Sequence, residues 1–130
     1  MILQTTLSLA AAAAIINLWI MIRVVSLRMS AKVIHGDGGN PALMQRMRAH
    51  ANFIENAPLA LILIGAIEMT GKGGTWLAIV GAVFMLARVA HVIGMDKTAP
   101  NPMRVVGVLV TMFTHLGLAV MAVLIALGKF

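Results

Sequence analysis

The chain has 130 residues, 61% of them hydrophobic and only 11% charged, with a formal net charge of +6. A soluble globular domain is about 45–50% apolar and about 25% charged, so this composition excludes a disordered tail and argues against a water-soluble core. The ten Lys/Arg are scattered among apolar runs and aromatic residues make up only 5%, which leaves no stacking platform for a nucleic acid.

What remains is a polytopic membrane protein, with a mean hydropathy of +0.98. One domain, residues 1–130, accommodates no more than about four or five spans of about 20 residues. The first apolar segment contains LSLAAAAAIINLWIMI and closes with Arg23, Arg28 and Lys32. No charge precedes Leu7, and the stretch is longer than a signal-peptide core, so a retained helix over about residues 2–25 is expected. HGDGGNP, His35 to Pro41, reads as a turn, with Asn40 and Pro41 opening the next helix as N-cap and N1.

The second helix is expected over residues 41–69. At about 1.5 Å per residue it is about 45 Å long, more than the membrane core of about 30 Å, so its first turns should protrude. Its apolar part, Ala57 to Ile67, follows Asn52, Glu55 and Asn56, which belong at or below the membrane surface. Pro58 frees the Ile54 carbonyl and should bend the helix. TGKGG, Thr70 to Gly74, is a tight connection to a third helix over residues 75–95, interrupted by Arg88 and His91. DKTAPNP leads to a fourth helix over residues 103–127, with Asn101 and Pro102 as a second cap pair.

Arg23, Arg28, Lys32, Arg46 and Arg48 flank the first loop, and Lys97 and Arg104 flank the third. The positive-inside rule places both loops in the cytoplasm and both termini on the opposite side. Arg48, Asn52, Glu55, Arg88, His91 and Arg104 then share the cytoplasmic half. Arg48, Asn52 and Glu55 lie four and three residues apart, on one helical stripe, and Arg88 and His91 are three apart. A charge inside a span costs about 2.5–3.5 kcal/mol on insertion scales and seeks a partner, so a Glu55–Arg88 pair is expected. Several guanidiniums around one carboxylate leave a positive surplus that suits an anionic ligand. The alternative is that Arg48 and Arg104 snorkel to the headgroups.

Other polar residues carry less information. His115 is expected to be hydrogen-bonded within the bundle, and Glu68 and Lys72 to pair at the surface. The eleven Met read as bundle filler, and Gly65, Gly81, Gly107 and Gly117 as sites of close helix contact or subunit contact. His35, His50, His91 and His115 have no metal-ligand spacing, so no metal is expected. With no cysteine, any thiol chemistry must come from a small molecule.

RMRAHANFIENAPLAL, Arg46 to Leu61, resembles the second-helix signature of the MAPEG family, the membrane-associated proteins in eicosanoid and glutathione metabolism. HGDGG is similar to the first loop of small bacterial members, RVAH (Arg88 to His91) resembles the third-helix motif, and Arg104 holds the place of the fourth-helix arginine. The likeness covers nearly the whole chain. It implies an all-α, four-helix subunit of a homotrimer in the bacterial inner membrane. It also implies glutathione as co-substrate between subunits, bound by Arg48, Asn52, Glu55, Arg88 and His91, with Arg28 as an addition. Arg104 would be the catalytic residue beside the sulfur. The implied activity is conjugation, or peroxide reduction, of lipophilic small molecules.

Two positions depart from the family pattern. Met95 stands where catalytic members often place a tyrosine, and Val105 where prostaglandin-synthesising members place a serine. Prostaglandin synthesis is therefore not expected. Two other classes compete with the transferase. One is a non-catalytic trimer that binds glutathione or lipid. The other is a small multidrug transporter, which needs a carboxylate free to exchange protons; the arginines around Glu55 argue against it.

Overall fold

The computed structural model describes residues 2–130 and contains four helices: α1 (Gln4–Ala31), α2 (Pro41–Met69), α3 (Thr75–Gly94) and α4 (Pro102–Ala126). All four are long and apolar enough to cross a membrane. No strand occurs among the described residues.

The helix starts follow local chemistry. Asn40 Oδ1 accepts the Leu43 N–H at 3.1 Å, and Asn101 Oδ1 accepts the Arg104 N–H at 3.2 Å. Each cap is followed by a proline in the first turn, where its missing N–H costs nothing. α1 continues about two turns beyond its apolar run, because nothing between Arg23 and Ala31 breaks a helix. It stops at Lys32, whose left-handed backbone (φ 57°) lets the Val33 N–H reach back to the Arg28 carbonyl. α2 runs through Pro58 without interruption.

α1 packs mainly on α2, and α3 mainly on α4. α2 also reaches α4, while α1 and α4 occupy opposite corners and do not meet among the described residues. Ile20, Phe53, Ile64, Leu77, Phe84 and Leu118 are buried along the centre. The α3–α4 contact is set by two glycines. A Cβ on Gly94 would stand 2.5 Å from the Arg104 nitrogen, and one on Gly107 would stand 2.5 Å from His91 Cβ. Only glycine allows this approach, and it brings the first turn of α4 against the last turns of α3.

Two expected ion pairs do not form. Glu68 does not reach Lys72; its carboxylate turns to the start of α1. There it accepts the Thr5 and Thr6 N–H groups and the Thr6 hydroxyl, each at 2.7 Å. α1 carries no side-chain cap or acidic residue in its own first turn, so its unpaired amides draw in an acceptor from 62–63 residues away. The missing Glu55–Arg88 pair belongs with the site.

Candidate functional site

The first half of α2, the first turns of α4 and the last turns of α3 meet toward one end of the bundle. A notch of about 250 Å³ opens there, lined by Arg48, Asn52 and Glu55 from α2, His91 and Met95, and Arg104 from α4. It is polar in a molecule that is otherwise mostly apolar. The α2 stripe supplies three of these side chains because positions four and three apart share a face. The Gly94–Arg104 approach supplies the opposite wall.

Glu55 and Arg48 are exposed on the protomer, Asn52 and Arg104 half-buried, and His91 fully buried. Glu55 makes no ion pair among the described residues. His91 Nδ1 is buried and has no hydrogen-bond partner among the described residues. Two arginines against one carboxylate leave the notch short of negative charge.

Arg88 lies behind the notch rather than in it. It is 1% exposed, among the most buried large side chains of the protein. Its Nη1 donates to Thr111 Oγ1 at 3.1 Å, and that hydroxyl donates to the Gly107 carbonyl at 2.8 Å. Nε and Nη2 have no partner among the described residues. The expected Glu55–Arg88 pair fails because the two side chains leave their helices in different directions: Arg88 turns inward onto α4, and Glu55 faces out of the protomer. Shared depth in the membrane does not fix rotation about the helix axis.

Arg28 is also outside the notch. Its Nη1 donates to the Gly36 carbonyl at 2.7 Å, with longer contacts to the Val33 and Ile34 carbonyls, so it ties the first loop to α1. His115 bridges helices. Its Nδ1 faces the Thr111 carbonyl at 2.9 Å and its Nε2 the Asn56 carbonyl on α2 at 3.1 Å. No group of three potential metal-ligating side chains occurs among the described residues.

A further network lies beside the notch. Arg23 on α1 pairs with Asp96, in the loop that leads to α4, and its guanidinium lies 5.2 Å from the Trp19 ring centroid. Arg46 donates to the Arg23 carbonyl at 2.7 Å, and His50 meets Asn17 at 3.0 Å. Sequence reasoning missed these contacts. The only available signal was that topology puts both Arg23 and Asp96 at the same end.

The MAPEG family model matches residues 6–124. The chain belongs to the MAPEG family. The notch, four apolar helices and helix-two stripe are therefore features of a MAPEG protein. The Inner membrane protein YecN of Escherichia coli strain K12 is 40% identical over 72 residues, 55% of this chain and 54% of that protein. YecN of Escherichia coli O6:H1 matches to the same extent. The alignment thus spans about half the length of these curated relatives.

Proposed function

We propose that this MAPEG protein is a multi-pass inner-membrane glutathione transferase, acting on lipophilic electrophiles, with both termini on the non-cytoplasmic side. The observation that carries this reading is the notch: Arg48, Asn52, Glu55, His91 and Arg104, from three helices, converge on one polar cavity. Glutathione has two carboxylates, an ammonium and a thiol. Arg48 suits a carboxylate as a two-pronged donor. Glu55, without a cation of its own, suits the ammonium. His91 lines the buried side of the notch.

At about 250 Å³ the notch falls below the range of about 300–1,000 Å³ typical of small-molecule sites, and Arg48 and Glu55 stand exposed on the protomer. A second copy of the chain closing over α2 would enlarge the site and cover both charges. This favours the homotrimer, with the ligand between subunits.

Arg104 is the catalytic residue in this proposal. A free cysteine thiol titrates at about 8.5, and a cation within about 4–6 Å lowers such a value by about one to three pH units. The glutathione thiol gives its proton to solvent, and the thiolate pair attacks an electrophilic carbon. The new S–C bond forms as the leaving group departs with its electrons. Apolar substrates reach the notch through the bilayer. The same thiolate would attack the terminal oxygen of a lipid hydroperoxide, forming glutathione sulfenic acid as the O–O bond breaks and the alkoxide leaves, taking a proton from solvent to become the alcohol. The thiol of a second glutathione would then displace water from the sulfenic acid and close the disulfide.

Isothermal titration of the detergent-purified protein with glutathione, followed by aryl-halide conjugation, tests this reading. At pH 7, Arg104→Ala should lower kcat/KM about eight- to 25-fold, the fall in thiolate fraction when a thiol lowered by one to two pH units returns to about 8.5. His35→Ala, in the exposed first loop, should leave it unchanged. Absence of glutathione binding at millimolar concentration would defeat the proposal. A second reading, a binding protein without turnover, is favoured by Met95, which puts a thioether on the notch wall in place of a hydroxyl donor. Binding without conjugation would select it.

A further inference from the structure

At the end of the bundle away from the notch, a groove of about 660 Å³ runs between α3 and α4. The glycine contacts pin the two helices together near Gly94 and Gly107, and the groove opens beyond them. Val80, Val83, Phe113 and Leu118 line its length, and Trp76 and Phe130 form its far end. The two rings meet edge-to-face with centroids 6.5 Å apart. The Trp76 Nε1–H donates to the Lys72 carbonyl at 3.1 Å, which fixes the indole. Gly117 also lines the groove, and apart from its own chain neighbours and helix backbone nothing among the described residues lies within 4 Å of where its Cβ would stand.

The charges around this groove select its occupant. Lys72, one turn before Trp76, and Lys129, next to Phe130, are both exposed. The chain has only four acidic side chains. Asp37, Glu55 and Asp96 belong to the other end of the bundle, and Glu68 is engaged by Thr5 and Thr6. A second copy of this chain therefore has no free carboxylate side chain to set against the two lysines. A phosphate headgroup does, and its acyl chain matches an apolar trough that opens toward the bilayer.

We propose that the α3–α4 groove seats one anionic phospholipid, its acyl chain lying over Gly117 between Val83 and Phe113 and its phosphate held by Lys72 and Lys129. The volume lies within the range of about 300–1,000 Å³ usual for bound small molecules. The seat is separate from the glutathione notch and does not depend on that proposal.

Tryptophan fluorescence tests it directly. The chain has two tryptophans, so Trp19→Phe leaves Trp76 as the sole reporter at the groove. This protein is reconstituted in phosphatidylcholine vesicles containing equal fractions of bromine-labelled phosphatidylglycerol or bromine-labelled phosphatidylcholine. The anionic lipid should quench Trp76 with at least about threefold higher apparent affinity, as expected for two lysines near a charged headgroup. Lys72→Ala with Lys129→Ala should bring the ratio to one without abolishing quenching. Gly117→Leu should fill the groove and weaken quenching by both lipids. Equal quenching by the two lipids before the lysines are removed would overturn the proposal. So would a preference that survives the double substitution, or the absence of quenching by either lipid, the result expected if a second copy covers the groove.

Discussion

Glu68 shows how one side chain changes role between the linear chain and the folded one. Lys72 lies four residues on but beyond the end of α2 at Met69, and the carboxylate receives three hydrogen bonds from Thr5 and Thr6 instead. An exposed ion pair is worth little, whereas a carboxylate at a helix N-terminus receives N–H groups that have no partner inside the helix. Glu68→Ala should therefore lower the melting temperature of the purified protein, and Lys72→Ala should not. Equal losses in a thermal-unfolding assay would restore the Lys72 pairing. Arg88 teaches the same lesson. Its burial at polar depth was legible in the sequence, but its rotation toward Thr111 was not, since a spacing of three fixes which residues share a face and not which neighbour that face meets.

The four helices themselves were largely legible, because apolar runs of about 20 residues and Asn-Pro caps are strong local signals. α1 was the exception. Its polar last turns lie beyond the apolar run that marked it, and only Lys32 ends it. The α3–α4 contact was partly legible: Gly107 stood out as a small residue within a span, whereas Gly94, beside the loop, did not. Gly94→Ala and Gly107→Ala each set a Cβ against backbone or His91 and should cost about 1–3 kcal/mol, the range for overpacking. Gly117→Ala meets nothing and should be near neutral in the same unfolding assay. Because Gly94 abuts Arg104, Gly94→Ala should also weaken glutathione binding if the notch is its site.

For the molecule as a whole, the sequence located a polar layer without resolving it. Arg48, Asn52, Glu55, His91 and Arg104 do meet in one notch, while Arg28 and Arg88 serve the loop and the interior. Placement of that notch on the cytoplasmic side rests on the lysine and arginine bias of the first and third loops. The natural absence of cysteine makes this easy to check. Cysteines introduced at Gly38 and Ala99 should resist a membrane-impermeant thiol reagent in intact cells, and one at Gly73 should react. The opposite pattern would move the notch to the outer face.

The Glu68 clasp also bears on how the chain is made. Thr5 and Thr6 emerge from the ribosome more than sixty residues before the carboxylate that receives their amides. Until Glu68 arrives, the leading turn of α1 has only water and lipid headgroups to bond. The smallest piece of nascent chain that can complete that turn is the α1–α2 hairpin, with residue 68 carried to the end of the bundle where α1 begins. The first two helices are thus one unit of assembly, and the second completes the first.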